Sequence, residues 1–263
     1  MKVVLFCGGK GLRLRDYAET LPKPMVPIGP RPILWHIMRY YAHFGYKDFL
    51  LCLGYKADVI KDYFLRYNEA LSNDFVLSDG GRSVELMQTD IQDWRITFVD
   101  TGLQASVGER LRAVRRHLQD EELFLANYAD VLTDARMDEL VADFSGRSQV
   151  AGFLSVRPRY TFHVVESVDG GRVSGIHNVD ESDLWINGGH FILRPSIFDY
   201  MQPGDELVER PFERLIEANQ LMTYRHEGFW APMDTLKDMQ TLEELYQGGE
   251  PPWALWRTAG IKT

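Results

Sequence analysis

Short apolar runs alternate, along the first half of the chain, with segments that carry an apolar residue every three to four positions. Val3–Cys7 is a continuous apolar run ended by Gly8-Gly9, the pattern of a strand buried on both faces of a parallel sheet. Pro32 opens a helix striped by Ile33, Ile37, Met38 and Tyr41, with Gly45 as its stop. Asp48–Leu53 reads as a second strand, and Val59, Ile60, Tyr63, Phe64 and Tyr67 mark a second helix. The pattern loosens between Phe75 and Thr97, where Asp79-Gly80-Gly81 reads as a hairpin turn. Ile96–Asp100 predicts a third strand, Glu109–Leu118 a third helix and Glu122–Tyr128 a fourth strand. Met137, Leu140, Val141 and Phe144 then form a helix closed by Gly146. Such alternation with short links predicts a parallel sheet with helices on both faces.

The second half changes character. Val150–Val156, His163–Ser167 and Trp185–Leu193 look like strands separated by turns, Asp169-Gly170-Gly171 among them. Phe212, Leu215 and Ile216 suit one helix. Another starts at Thr235, an N-cap with Asp238 three residues on, and carries Leu236, Met239, Leu242 and Tyr246. The tail around Pro251-Pro252-Trp253 is aromatic, and no internal repeat is visible.

Composition narrows the function. The 263 residues suit one large domain, and 45% hydrophobic with 25% charged residues is ordinary for a globular chain. The formal net charge of −9 disfavours nucleic acid and anionic membrane as partners. The densest basic stretch, Arg110, Arg112, Arg115 and Arg116, has helical spacing and reads as a solvated face. Cys7 and Cys52 sit in apolar runs and read as buried, reduced thiols. No apolar run reaches 18 residues, and the one at the N-terminus is too short for a signal peptide, so a cytoplasmic protein is expected. The seven histidines form no metal-ligand spacing. His36 and His43 fall on a helix and read as half-buried or surface residues.

The most informative stretch is Cys7-Gly8-Gly9-Lys10-Gly11-Leu12-Arg13-Leu14, followed by Leu21-Pro22-Lys23-Pro24-Met25. A glycine-rich turn straight after a buried strand lets backbone N–H groups approach an anion closely, above all a phosphate. Arg13 and Lys23 add two cations, and prolines on both sides hold Lys23. The P-loop pattern is absent, and a dinucleotide G-x-G-x-x-G aligned on Gly9 and Gly11 fails at Leu14.

This stretch resembles the G-G-x-G-x-R-L…P-K-P signature of the sugar-1-phosphate nucleotidyltransferases. The resemblance extends along nearly the whole chain. Pro32–Met38, Lys47-Asp48-Phe49, Gly54-Tyr55-Lys56, Val99–Gly102, Asn187-Gly188-Gly189, Gly228-Phe229-Trp230 and Pro232–Thr235 look like the glucose-1-phosphate cytidylyltransferase branch. It implies a Rossmann-like, mixed but mainly parallel sheet with helices on both faces, the nucleotide-diphospho-sugar transferase fold. Residues 1–134 would form mainly the nucleotide-binding half. Residues 135–263 would form the sugar-binding and C-terminal half, through which relatives assemble into homo-oligomers. Trp253 and Trp256 suit either that contact or the chain's own core.

The implied reaction joins CTP to a sugar 1-phosphate and releases pyrophosphate. The attacking phosphate is already an anion, so the reaction needs alignment and charge neutralisation rather than a Ser, Cys or His nucleophile. The resemblance gives Arg13 and Lys23 catalytic roles on the nucleotide phosphates. It gives amides to Gly8, Gly9, Gly11 and Leu12, the base pocket to Gly54, Tyr55 and Lys56, and a place near the phosphates to Arg110. Asp130 follows a strand and Asp234 precedes a helix N-cap. A lone aspartate at either position reads as a turn or cap, but both match the family's Mg²⁺ positions, Asp130 also on the nucleotide side and Asp234 on the substrate side. Asn187 and Gly188 match the sugar contacts.

The chain departs from the family on the acceptor side. The family's Glu-Lys-Pro segment is replaced by His177–Asp183, which holds no Lys or Arg, and the glucose-contacting stretch reads Tyr160–Val165. Val131 stands where relatives commonly carry Gly after the aspartate. The expected acceptor is glucose 1-phosphate bound differently or a related phosphorylated acceptor in its place, with Arg157 or Arg159 either supplying the missing cation or standing at a strand end in water. The competing readings are use of dTTP or UTP, or of a non-sugar phosphate acceptor, on the same fold, and a non-catalytic nucleotide-binding homologue.

Overall fold

The computed structural model describes residues 1–9, 21–158, 163–179 and 182–258. The first half runs β1 (Lys2–Phe6), the hairpin β2 (Pro27–Ile28) and β3 (Arg31–Pro32), then α1 (Ile33–His43), β4 (Asp48–Leu53) and α2 (Ala57–Leu65). A second hairpin, β5 (Phe75–Ser78) and β6 (Ser83–Leu86), precedes β7 (Arg95–Asp100), α3 (Val107–Ala113), β8 (Phe124–Asn127) and β9 (Val131–Thr133). The second half holds α4 (Met137–Ser145), β10 (Ala151–Val156), the hairpin β11 (His163–Val168) and β12 (Arg172–Asn178), and β13 (Ile186–Leu193). It continues with α5 (Arg210–Glu217), β14 (Leu221–His226), β15 (Trp230–Pro232), α6 (Leu236–Gln247) and α7 (Leu255–Thr258).

Seven strands form the central sheet in the order β14-β10-β13-β8-β1-β4-β7. β1 pairs parallel with β4 and β8, β4 with β7, and β10 with β14, whereas β13 runs antiparallel to both β8 and β10. The sheet is therefore mixed and mainly parallel. Its central strands explain their unbroken apolar runs. Val3 and Leu5 enter the cluster beneath α1, while Val4 and Phe6 enter a second cluster with Leu111 of α3 and Phe212 of α5. Both faces are thus covered, and each fully buried Leu or Phe contributes about 1.5–3 kcal/mol. Gly45 takes φ +88° at the end of α1, the left-handed stop that its position predicts. Ser106 and Thr235 cap α3 and α6 with reciprocal side-chain bonds to Glu109 and Asp238. Among the described residues, no helix is long and apolar enough to cross a membrane.

Three expectations need correction or sharpening. Arg110 is not on a solvated face; it is 4% exposed, while Arg115 and Arg116 are exposed. The reason is that α3 turns that position toward the end of the sheet. His36 is likewise buried rather than half-exposed. It donates from Nε2 to Ile28 O at 2.9 Å and accepts at Nδ1 from Trp253 Nε1 at 3.3 Å, so both ring nitrogens are satisfied in one neutral tautomer. Trp253 is fully buried in this chain's own core and is not available to a partner. Cys7 and Cys52 are free and buried; burial raises both thiols, Cys52 to about 12, so neither is a reactive thiolate.

Candidate active site

The carboxyl ends of β1, β4 and β8 carry the turns from which the site is built. After β1 the chain passes through Gly8, and after β4 through Gly54. These two glycines lie against the Arg110 side chain. A Cβ on Gly8 would stand 2.0 Å from Arg110 Nη1, and one on Gly54 would stand 2.8 Å from the same nitrogen and from Gly8 O. Arg110 donates to Gly8 O (3.1 Å), Leu53 O (3.1 Å), Gly102 O (2.9 Å) and Thr101 Oγ1 (2.7 Å). Its guanidinium therefore clasps three turns from behind. Tyr55 N donates to Gly8 O at 3.2 Å, closing the pair of turns. Gly9 is exposed. Lys56 begins α2 in a left-handed conformation (φ +49°), and its ammonium lies 5.5 Å from the Tyr55 ring centroid. Gly11, Leu12 and Arg13 lie outside the described residues.

Lys23 sits in a single 3₁₀ turn, Lys23–Met25, between Pro22 and Pro24. Its Nζ donates to Asp130 Oδ2 and to Asp234 Oδ1, both at 2.6 Å. Burial disfavours the Lys23 ammonium, but the two carboxylates outweigh it and hold its pKa above the usual lysine value. The three residues come from distant parts of the chain, and local structure explains how they meet. Asp130 follows Ala129, which is held at φ +62°, a region that costs a non-glycine residue of order 1 kcal/mol. The turn is held by Asn127, fully buried, whose Oδ1 accepts from Ala129 N at 2.7 Å. Beyond it, β9 pairs antiparallel with β15, Val131 opposite Pro232, and Met233 N donates to Asp130 O at 2.9 Å. That short ladder delivers Asp234, whose own N–H bonds Asp238 Oδ2 at 3.0 Å. Val131 is buried inside the ladder.

Asn187 opens β13. Its Nδ2 donates to Tyr128 OH at 3.0 Å and its Oδ1 accepts from Gly189 N at 2.9 Å. Gly188 is buried, and its carbonyl accepts from Trp230 Nε1 at 2.9 Å. The structure thus brings Lys23, Asp130 and Asp234 into direct contact. It sets Gly8, Gly54 and Arg110 together as a second group and places Asn187 against Tyr128, two residues before Asp130. Asn127 and Tyr128 are supporting residues that the sequence reading did not single out, and Thr101 entered it only as part of the Val99–Gly102 motif. An Asn just before a turn was the available signal for Asn127.

Two carboxylate oxygens converge on one point 2.6 Å from each, where Lys23 Nζ now sits. Two carboxylates are a donor set that a hard divalent cation such as Mg²⁺ takes together with phosphate oxygens and water. Among the described residues there is no group of three or more His, Cys, Asp or Glu side chains suited to hold a metal by themselves.

Comparison with known proteins decides the family. The model for the nucleotidyl transferase family matches residues 2–247. The chain belongs to the nucleotidyl transferase family. Within it, the chain falls with the glucose-1-phosphate cytidylyltransferases. It is 36% identical over 258 residues to the enzyme of that name from Salmonella typhi, covering 97% of this chain and 100% of the relative. It is 34% identical to a probable glucose-1-phosphate cytidylyltransferase from Bacillus subtilis over the same span. Among solved structures, a UDP-glucose pyrophosphorylase complexed with UDP-glucose superposes with a TM-score of 0.69 over 94% of this chain and 98% of that one, at 15% identity. The nucleotidyltransferase thus shares its fold with nucleotide-sugar enzymes of very different sequence.

Proposed function

We propose that this nucleotidyltransferase transfers the cytidylyl group of CTP to a sugar 1-phosphate, giving a CDP-sugar and pyrophosphate. The convergence of Lys23, Asp130 and Asp234 carries the reading, set in a chain that matches glucose-1-phosphate cytidylyltransferases over its whole length. A phosphate oxygen of the sugar attacks the α-phosphorus in line. One P–O bond forms, the bond to the bridging α–β oxygen breaks, and its electron pair leaves with pyrophosphate. Lys23 neutralises the α-phosphate as charge builds on it. Arg13 takes the β- and γ-phosphates. Gly8, Gly9, Gly11 and Leu12 supply amides, and Gly54, Tyr55 and Lys56 enclose the base. Arg110 acts as a positioning residue that fixes the glycine turns, and Asn187 and Gly188 receive the sugar.

Asp130 and Asp234 would hold Mg²⁺, which would supply charge neutralisation to the reacting phosphates. In this reading residues 1–134 serve mainly the nucleotide and 135–263 the acceptor. Assembly into a homo-oligomer belongs to the reading too, and light scattering measures it. The decisive experiment is pyrophosphate release with Mg²⁺, glucose 1-phosphate and each nucleoside triphosphate in turn. Release with CTP well above the other nucleotides is expected. Equal or better release with dTTP or UTP overturns the base assignment.

A further inference from the structure

A cavity of about 390 Å³ opens on the sheet beyond Asn187. Asn187 is paired with Ser155 across β13 and β10, and Ser155 with Arg225 across β10 and β14. Paired residues project from the same side of a sheet, and all three line this cavity together with Trp185, Phe153 and Phe212. Its lining is rich in aromatic side chains and includes the cation Arg225. Arg225 and Arg157 each place a guanidinium over the Trp185 ring, at 5.0 and 5.2 Å from the centroid. Trp185 Nε1 donates to Asp183 Oδ1 at 3.0 Å, and the same oxygen lies 3.9 Å from Arg157 Nη2. Among the described residues, no carboxylate comes within 4.0 Å of Arg225. Arg225 thus offers a guanidinium at this cavity in a chain of net charge −9.

Position along the sheet decides what these cations can read. Tyr128 N donates to Gly189 O, so the chain leaves β8 for Asp130 beside the start of β13. Arg225 stands two further strand spacings, about 10 Å, beyond Asn187. It is too far to share an acceptor phosphate brought up for attack beside the Lys23, Asp130 and Asp234 cluster. An acceptor with that phosphate at Lys23 and its ring at Asn187 directs its opposite end toward Trp185 and Arg225.

We infer that the acceptor is a sugar 1-phosphate bearing a second anionic group at the end remote from the anomeric phosphate, bound by Arg225 with Arg157 beside Trp185. The inference builds on the proposed transfer reaction. A planar guanidinium laid on an indole is pre-organised to offer paired N–H groups to a carboxylate or phosphate. It also accounts for the absence of Lys and Arg from residues 177–183: the cations stand on β14 and at the end of β10 instead.

The test measures kcat and KM with CTP for three acceptors: glucose 1-phosphate, glucuronic acid 1-phosphate and glucose 1,6-bisphosphate. At least one doubly anionic acceptor is expected to exceed glucose 1-phosphate about tenfold or more in kcat/KM, mainly through KM. Which of the two gains tells carboxylate from phosphate. Arg225→Gln is expected to abolish the advantage, and Arg225→Lys to restore part of it. Equal use of all three acceptors, a preference for glucose 1-phosphate, or an advantage that survives Arg225→Gln overturns the inference while leaving cytidylyl transfer intact. Turnover of none of the three by folded enzyme removes both.

Discussion

Two arginines that the proposed reading puts at opposite ends of the site, Arg110 and Arg225, are held in opposite ways. Arg110, at the nucleotide end, is buried and spends its guanidinium on three backbone carbonyls and a threonine hydroxyl. Arg225, at the acceptor end, lies on the edge strand β14, exposed, and rests on the face of Trp185. Removing the first disturbs three turns at once. Removing the second takes away a contact to ligand and little else. In the proposed reading the nucleotide end needs rigidity, because the same phosphates must be aligned at every turnover, and the acceptor end can carry its selectivity in side chains that change without touching the frame.

The largest effect reaches both ends together. His36 braces the strand β2 that follows the Lys23 turn, and His190 lies in β13 next to the Asn187 segment; burial lowers both from 6.5 to about 4. In the unfolded chain they titrate near the ordinary value. Between pH 6.5 and 4 the unfolded chain binds protons that the folded one refuses, so stability falls as pH falls, by about 3 kcal/mol per histidine at pH 4. Urea denaturation at pH 7, 5.5 and 4.5 reads this slope. His36→Asn and His190→Asn should each remove one histidine's share of it, and an unchanged slope in both would contradict the burial.

Next in size is the catalytic cluster. Lys23→Ala or Asp234→Ala should lower kcat at least about 10²-fold, the scale of one preorganised charge contact. Full pyrophosphate release by either folded variant would break the assignment. Arg110→Met should cost about 2 kcal/mol in stability, from carbonyls that lose a buried donor, and should raise KM for CTP because the glycine turns lose their clasp. Thermal unfolding with CTP titration separates the two effects. Smallest is Arg225→Gln, which should stay within about 0.5 kcal/mol of the parent in stability, as exposed substitutions do. A large loss of stability there would show that the two ends are not built differently after all.

Legibility in the sequence followed burial and length. Asp48–Leu53 was readable to the residue because both its faces are covered, and the Thr235–Asp238 cap was readable because capping is a local bond. β14 was missed: Leu221–His226 mixes half-buried with exposed residues and pairs only along one edge. Arg110 and His36 were misread for a common reason. Helical spacing says which residues share a face, and it does not say that a polar member of that face will meet a row of carbonyls or an indole N–H. Resemblance pointed to Asp130 and Asp234 together. The three-residue ladder of β9 with β15 and the buried Asn127 that bring them there carry no pattern long enough to read.

That ladder also fixes when the enzyme comes into being. Asp234 reaches Asp130 only after β15 has paired with β9, and α6, which caps beside Asp234, follows later still. A chain emerging N-terminus first from the ribosome holds Lys23 and Asp130 long before their partner arrives, and contacts so distant in sequence form late. A chain that stops before Asp234 therefore lacks the completed charge cluster.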